Sequence, residues 1–330
     1  MPVNFEQQLQ GQPTPAEATN IGASTDNVSS QGTYNPAAPT MQGTNSINNT
    51  TAGVNTTLAN DSSASNTQDA NSIKVTISDT QAPIIVLFGP PACGKTMTLV
   101  RMSRFLKTEG YTISPVRTFR SSSDARYKDM CDKFDQTMNS DYKAEGTGQI
   151  DFMLVEVIKD GRRVCQLLEA PGEHYFNPND PTSDFTAYLN TLINYPNRKV
   201  WVIMVEPDWK DSSDRKNYVT RIADLKKKMR TRDAAIFVYN KVDKTAFVVG
   251  IGRIRTSSAL REVKNQYPGI FAPFKNVNPI TKIWKEYNSD FVPFQTGSFT
   301  DTSDGKTSYQ DGPREFCVKL WKCITKKIRG

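Results

Sequence analysis

The first 73 residues of this 330-residue chain contain no lysine and no arginine. The segment carries five acidic residues among many Asn, Thr, Ser, Gln, Ala and Gly residues. It also lacks the basic start and the apolar stretch of a secretory signal peptide. Because so little apolar surface cannot offset the entropy of ordering the chain, we expect residues 1–72 to form a disordered, low-complexity tail. Residues 73–330 are then expected to form one folded domain.

Histidine, cysteine and long apolar runs are also scarce. The chain has one histidine and five cysteines, an odd number without metal-ligand spacing. This pattern argues against a disulfide framework, so we expect reduced thiols. No apolar run is long enough to span a bilayer. These absences favour a soluble protein, and we expect it in the cytoplasm.

Positive charge is concentrated outside the tail. The chain has a net charge of +7, and since the tail contributes −5, the rest carries +12. Much of this charge lies in residues 226–232 and 326–329. Both segments fit the ends of helices, where basic side chains are solvated and complement the helix dipole. That interpretation is favoured over a surface for nucleic acid or an anionic membrane.

Residues 84–96 read I-I-V-L-F-G-P-P-A-C-G-K-T and match the phosphate-loop pattern G-x-x-x-x-G-K-[ST]. Residues 84–88 are typical of a strand buried on both faces, and apolar residues at helical spacing follow the loop. These flanks disfavour a chance turn. Lys95 would reach the β- and γ-phosphates, and the Thr96 hydroxyl would ligate Mg²⁺. The predicted phosphate-binding residues are Gly89, Pro90, Pro91, Ala92, Cys93, Gly94, Lys95 and Thr96.

A second motif, Asn240-Lys241-Val242-Asp243, directly follows the apolar run 234–239. Guanine presents N1–H and an exocyclic amine side by side, and one carboxylate can accept from both. Asp243 is placed for that role. Asn240 would tie the base loop to the phosphate loop, and the Lys241 stem would cover a base face. The motif therefore predicts guanine recognition.

A third motif, Glu169-Ala170-Pro171-Gly172, follows the apolar run 164–168. At the end of a strand, Glu169 would lie near the Mg²⁺ ion. Gly172 would offer its N–H to the γ-phosphate. We therefore predict that this loop senses the γ-phosphate.

Apolar runs alternate with amphipathic segments from residue 84 onward. This order predicts an α/β fold with a doubly wound, mostly parallel sheet and helices on both faces. Asp160-Gly161 joins the apolar runs 150–158 and 164–168, which is a strong hairpin signal. We therefore expect one antiparallel hairpin strand in the sheet.

Two weaker patterns give finer expectations. Residues 73–78 read I-K-V-T-I-S, which predicts a short edge strand. Ser257 or Ser258 is expected to cap a helix that runs to about Gln266.

The three motifs, in this order, resemble those of P-loop GTPases of the translation-factor and Ras-like (TRAFAC) class. The resemblance covers roughly residues 82–327 and implies the P-loop GTPase fold with insertions at about 111–146 and 245–288. It also implies GTP and GDP as ligands, Mg²⁺ as cofactor, and an effector or activator protein that the sequence does not identify. Within the class, residues 144–148 and 169–176 look similar to bacterial double-GTPase type proteins.

The resemblance also adds two positions to the site. Thr147 looks like the switch threonine that completes the metal shell in the triphosphate state. Gln295-Thr296-Gly297 looks like the last base-contacting loop. The resemblance also implies roles for Lys95, Thr96, Glu169, Asn240 and Asp243, and these are the same roles that the motifs predict above.

Several positions depart from the family's pattern. Glu169 stands where the family usually has Asp, which moves the carboxylate by about one carbon–carbon bond. Pro91 replaces a glycine in the phosphate loop. Glu173 and His174 stand where many members have a water-orienting Gln or His, although a lone histidine is often a polar loop residue. The resemblance thus implies that Gly172, Glu173, His174, Lys95 and Thr147 take part in catalysis. It also implies that hydrolysis is slow without an activator.

Three arginines of the first insertion, Arg117, Arg120 and Arg126, are candidates for a charge-stabilising finger in cis. Solvated surface arginines are the favoured interpretation.

Two other function classes remain open. The pattern G-P-P-x-x-G-K-T also occurs in AAA+ ATPases, but here no apolar strand ends in the paired Asp-Glu that those enzymes use. A nucleotide-binding scaffold with little hydrolysis is the second alternative, suggested by Glu169, Pro91 and Glu173.

Overall fold

The computed structural model of the protein describes residues 71–139, 152–301 and 307–329. The expected tail, residues 1–72, lies almost wholly outside these ranges. The strands of the described residues are β1 Ile84–Phe88, β2 Thr112–Pro115, β3 Met153–Lys159, β4 Arg162–Glu169, β5 Lys199–Val205, β6 Ala234–Tyr239, β7 Val248–Gly250, β8 Arg253–Ile254, β9 Ser289–Pro293, β10 Gly297–Asp301 and β11 Thr307–Asp311. The helices are α1 Lys95–Thr108, α2 Ala125–Asn139, α3 Gly172–Tyr175, α4 Ala187–Asn194, α5 Ser212–Lys228, α6 Thr256–Gln266 and α7 Arg314–Arg329.

A seven-stranded sheet in the order β2-β3-β4-β1-β5-β6-β9 forms the centre of the described part of the chain. Strand β3 is antiparallel to both of its neighbours, and the other pairings in this sheet are parallel. The predicted doubly wound sheet with one reversed hairpin strand is therefore confirmed. This is the α/β architecture of P-loop GTPases.

The reversed strand follows from the turn that precedes β4. Asp160 and Gly161 connect β3 to β4 and have φ angles of 50° and 71°. Positive φ at both central positions gives a two-residue turn whose twist matches that of the flanking strands, and Asp-Gly is suited to it. The hairpin prediction is confirmed.

The core has two layers of helices because β1 buries side chains on both faces. Ile85 and Leu87 face α1 and α7. Phe88 packs on the opposite layer, where its ring stacks 6.3 Å from that of Tyr218 on α5. All five residues of β1 are buried, as the continuous apolar run predicts.

Two of the finer expectations are wrong. Residues 73–78 form no strand, although Ile73 and Ile77 are buried and Thr76 donates its N–H to the Phe119 carbonyl at 2.8 Å. The apolar alternation is satisfied by packing of an extended segment on the core. Helix α6 ends at Gln266 as predicted, but it begins at Thr256 and its N-cap Arg255 makes no side-chain capping bond, so neither predicted serine caps it.

The two predicted insertions contain secondary structure. Strand β2 and helix α2 lie in the first, and the short β7–β8 hairpin and helix α6 lie in the second. The β10–β11 hairpin follows the last predicted base loop and was not predicted. Within the described residues, no helix has the length and apolarity needed to cross a membrane.

Candidate functional site

The phosphate loop leaves β1 and curls into the N-terminus of α1. Ala92 and Gly94 have φ angles of 60° and 86°, and Gly94 is the N-cap of α1. A Cβ added to Gly94 would lie 2.4 Å from Asn240 Nδ2, so only glycine fits here. Lys95 is buried, and its Nζ donates to the Pro90 carbonyl at 3.0 Å. The predicted strand, loop and helix are therefore confirmed, with the lysine lying along the loop.

The Asn-Lys-Val-Asp motif follows β6 and contacts the phosphate loop directly. Asn240 is fully buried and donates from Nδ2 to the Cys93 carbonyl at 3.0 Å. Lys241 Nζ donates to the Ala92 carbonyl at 3.0 Å. Asp243 lies in the following 3₁₀ turn and is exposed. Two loops about 150 residues apart in sequence thus form one surface, as the sequence predicts for Asn240.

Glu206 is a buried carboxylate beside this surface that sequence analysis missed. It directly follows β5 and forms an ion pair with Lys241 Nζ. The pair holds the lysine stem across the phosphate loop. The sequence does contain a signal for Glu206. A carboxylate that directly follows an apolar strand lies at the edge of the sheet where the ends of parallel strands meet and ligands bind.

Two of the three predicted metal residues, Thr96 and Glu169, are close together. Thr96 Oγ1 donates to Glu169 Oε1 at 3.1 Å, and Glu169 is buried. Thr147, the third predicted metal residue, lies outside the described residues.

Gly172 lies against the backbone of the phosphate loop. A Cβ added at this position would be 2.2 Å from Pro91 N and 2.5 Å from the Pro90 carbonyl carbon. Such distances are far below van der Waals contact, so the two loops touch through their backbones. Gly172 is also the first residue of the short helix α3.

The two candidate water-orienting residues lie on α3 and differ in environment. Glu173 is exposed. His174 is partly buried, and its Nδ1 lies 2.9 Å from the Tyr188 hydroxyl. Burial raises the pKa of Tyr188 well above its ordinary value, so this hydroxyl keeps its proton. The contact with Tyr188 therefore fixes the ring orientation of His174.

The last predicted base loop, Gln295-Thr296-Gly297, is held in place by hydrogen bonds from Tyr309 of β11 and from Gly312, the residue directly after β11. The Thr296 carbonyl accepts from the Tyr309 hydroxyl at 2.7 Å and from Gly312 N at 2.9 Å. The Gly312 carbonyl in turn accepts from buried Arg101 of α1 at 2.7 Å. Gln295 is partly buried beside Thr296. Arg101 and Tyr309 gave no sequence signal, since their partners are distant in the chain.

The candidate finger arginines differ from one another. Arg117 is half-exposed and pairs with Asp132 and Asp135 at 2.8 and 2.9 Å. Arg126 is exposed. Arg120 is buried, pairs with Asp124 at 2.7 Å and stacks over the Phe152 ring at 5.4 Å. The solvated interpretation is therefore wrong for Arg120.

The cysteines are all free thiols, as expected. Cys93 lies inside the phosphate loop, and burial raises the pKa of its thiol to about 11. It is therefore neutral at physiological pH and contributes its backbone carbonyl to the site.

Three solved structures are similar to the chain at low identity. A nucleolar GTP-binding protein 1 from Plasmodium falciparum is 12 % identical, with 78 % of this chain and 90 % of that chain covered and a TM-score of 0.34. The signal recognition particle receptor SRb-GTP/SRX complex from Chaetomium thermophilum is 13 % identical, with 75 % and 99 % covered and a TM-score of 0.36. Roco2 RocCORdC from Methanosarcina barkeri bound to GDP is 10 % identical, with 78 % and 51 % covered and a TM-score of 0.30. No protein-family model and no curated protein sequence matches the chain. At these scores the likenesses carry no argument about function, which rests on the geometry of the site.

Proposed function

We propose that the protein binds GTP and GDP, hydrolyses GTP to GDP and phosphate with Mg²⁺, and acts as a nucleotide-dependent switch. The observation that carries this proposal is the pair of hydrogen bonds from Asn240 and Lys241 to the phosphate loop. They hold the Asn240–Asp243 motif directly beside the phosphate loop, so one nucleoside triphosphate is proposed to bind across both motifs.

Each motif has a part in the proposed binding. The backbone N–H groups of residues 92–94 and of the start of α1 bind the phosphates, and Lys95 turns from the Pro90 carbonyl to the β- and γ-phosphates. Asp243, which is exposed, accepts from guanine N1–H and the exocyclic amine. Lys241 covers one face of the base, and Thr296 closes the other side of the base pocket.

The donor set fits a magnesium ion that is also held by phosphates. Thr96 and Glu169 offer hard oxygen donors that are already within 3.1 Å of each other. Within the part of the chain that the structure describes, no group of three or more His, Cys, Asp or Glu side chains could hold a metal ion. Mg²⁺ commonly uses one or two protein oxygens together with phosphates and water. When bound, the ion neutralises charge that develops on the phosphates.

The proposed switch is the segment from Glu169 to residue 185. Gly172 touches the phosphate loop, and its N–H is proposed to donate to the γ-phosphate. Buried Arg221 of α5 holds the rest of the segment by donating to the carbonyls of Tyr175 and Ser183 at 2.7 and 2.6 Å. Loss of the γ-phosphate releases Gly172, and a partner protein, an effector or activator of unknown identity, reads this change. Thr147 is proposed to complete the metal shell when the γ-phosphate is present.

Hydrolysis is proposed to be slow without an activator. His174 is restrained by Tyr188, and Glu173 faces solvent. One of these two residues must move toward the attacking water. A partner protein bound at α3 would cause this movement. Gly172 and Lys95 then stabilise charge on the transferred phosphoryl group.

Nucleotide titration tests the proposal against its alternatives. We expect Mg²⁺-dependent binding of GTP and GDP that is much tighter than binding of ATP. Asp243→Asn should shift preference toward xanthosine triphosphate, whose C2 carbonyl accepts from the new amide. Tighter ATP than GTP binding would favour an AAA+-like ATPase. Single-turnover phosphate release that Lys95→Ala abolishes would exclude a hydrolysis-poor scaffold.

A further inference from the structure

Four large apolar side chains stand in solvent on one short segment, residues 277–284. Their exposed fractions are 86 % for Val277, 73 % for Ile280, 74 % for Ile283 and 86 % for Trp284. Scattered single apolar residues are ordinary on a protein surface, but a contiguous group of this kind marks an interaction site. We call residues 277–284 the apolar loop.

Hydrogen bonds give the apolar loop a defined shape. At its base, buried Asn276 donates from Nδ2 to Thr281 Oγ1 at 2.8 Å and to the Lys285 carbonyl at 3.0 Å. Asn278 Oδ1 accepts from Ile280 N at 2.9 Å. These hydrogen bonds are made within residues 276–285, and the four apolar side chains remain exposed.

The apolar loop lies at the edge of the sheet that is formed by the N-terminal ends of the parallel strands. The candidate nucleotide site lies at the opposite edge, formed by their C-terminal ends. It precedes the first residue of β9, Ser289, whereas Asn240 follows the last residue of the parallel strand β6. Its stem is closed by the bridge between Lys275 and Tyr287. A partner at the apolar loop therefore does not compete with nucleotide.

Basic helix ends from both faces of the sheet contact residues that flank the apolar loop in sequence. Lys226 at the end of α5 lies 5.6 Å from the ring centroid of Phe274. Lys327 at the end of α7 and Lys285 both pair with Asp290, at 2.9 and 3.1 Å. The exposed basic side chains of these two helix ends and of the loop after α5 are Lys227, Lys228, Arg232, Lys326 and Arg329.

Two acidic side chains at this edge are paired with lysines, and Asp233 accepts from the backbone N–H groups of Lys199 and Arg230, both at 3.0 Å. Asp224 pairs with Lys227 at 2.9 Å, and Glu286 pairs with Lys264 at 3.4 Å. The edge therefore combines an apolar projection with a surrounding positive field.

We propose that this edge binds the surface of an anionic membrane, with the apolar loop inserted among the headgroups. Val277, Ile280 and Ile283 offer nucleic acid neither hydrogen bonds nor flat rings, so a nucleic acid would account for Trp284 alone. A membrane interface accounts for both features, because it accepts aliphatic side chains and Trp and also attracts Lys and Arg. The basic side chains then lie at headgroup level, on either side of the inserted loop.

Trp284 provides a direct test in the full chain. The other tryptophans, Trp201, Trp209 and Trp321, are buried, so a change of polarity at the surface alters mainly the emission of Trp284. Vesicles of phosphatidylcholine and phosphatidylserine should shift the emission to shorter wavelength and carry the protein down on sedimentation. Pure phosphatidylcholine vesicles should bind it more weakly. Trp284→Phe should remove the spectral shift and keep most of the binding.

Matched variants separate the apolar and basic contributions. Ile280→Ser and Ile283→Ser should each weaken vesicle binding about tenfold, since each removes one inserted side chain. Ile251→Ser is the control, because Ile251 is 84 % exposed in the β7–β8 hairpin, outside the apolar loop. Lys326→Gln should weaken binding about fivefold, and only to anionic vesicles.

Two results would overturn the proposal. One is the absence of both sedimentation and a Trp284 shift with anionic vesicles at physiological salt. The other is equal loss of binding in Ile251→Ser and Ile280→Ser, which would indicate nonspecific adsorption. Binding of RNA but not of vesicles, unaffected by Ile283→Ser, would assign the basic edge to nucleic acid instead.

Discussion

The side chain of Asn240 donates a hydrogen bond to the backbone carbonyl of Cys93 over 3.0 Å. Asn240 directly follows β6, and Cys93 lies in the phosphate loop that follows β1. Strand β5 lies between β1 and β6 in the sheet, so this bond spans the width of β5. The carbonyl has no freedom to turn toward solvent, because Asn240 and Cys93 are both fully buried. The bond therefore couples the position of the base loop to the shape of the phosphate loop.

Asn240→Ala should weaken GTP and GDP binding about tenfold or more. The change leaves a buried carbonyl without its donor, which typically costs about 1–3 kcal/mol, and it lets the two loops separate. Asn197→Ala is the control, because Asn197 is equally buried and donates to the carbonyls of Asp79 and Ala82 at 2.8 Å. Equal loss of affinity in both variants, measured by nucleotide titration, would show a general effect of stability.

Gly172→Ala should reduce GTP hydrolysis about a hundredfold and change GDP affinity little. The added methyl would displace Gly172 from Pro91, so its N–H would miss the γ-phosphate, which GDP lacks. Single-turnover phosphate release and GDP titration measure the two effects. Gly250→Ala is the control, since a Cβ there meets only Arg253 Cδ at 4.0 Å. Hydrolysis at the wild-type rate in Gly172→Ala would contradict the assigned role.

The sequence predicts those parts of the structure whose causes are local. Asp160-Gly161 requires a tight hairpin, and residues 84–88 and 234–239 are too uniformly apolar for anything but buried strands. Since parallel strands end at one edge of the sheet, the loops after them must be neighbours. For that reason, the contact between Asn240 and the phosphate loop was predictable from sequence.

Other features depend on partners that no local pattern reveals. Arg101 and Gly312 are 211 positions apart, and neither has a neighbour that indicates the contact. Residues 73–78 have the alternation of a strand, but they pack on the core without a ladder partner. Arg120 lies in a polar stretch, yet it is buried against Phe152. In each case tertiary packing decides the outcome.

Arg101→Met should lower the preference for guanine over adenine nucleotides several-fold. Arg101 donates to the Gly312 carbonyl, and Gly312 holds the Thr296 carbonyl, so the substitution loosens the last base loop. The lost charged hydrogen bonds should also cost about 1.5–3 kcal/mol of unfolding free energy. Arg163→Met is the control, because Arg163 lies at the start of β4 and pairs with Asp79 at 2.7 Å, not with the hairpin. If both variants kept the wild-type GTP-to-ATP affinity ratio, the proposed link would be wrong.

Lys199 should make the stability of the protein depend on pH above neutrality. Its buried Nζ donates to the carbonyls of Ile193 and Tyr195, and burial lowers its pKa from 10.5 to about 8. Between these values the unfolded chain binds a proton that the folded chain does not, so this group stabilises the fold increasingly as pH rises from about 8 to 10.5. The neutral amine still has two N–H donors for the two carbonyls.

The comparison with Lys199→Met isolates this contribution from the tyrosines and cysteines that also titrate in alkali. The unfolding free energy of the wild type, measured by denaturant titration, should gain about 2 kcal/mol over that of the variant across this pH range. Lys227→Met is the control, because the Lys227 side chain is 76 % exposed, and its difference from the wild type should stay constant. A constant difference for Lys199→Met as well would mean that Lys199 keeps its proton when it is buried.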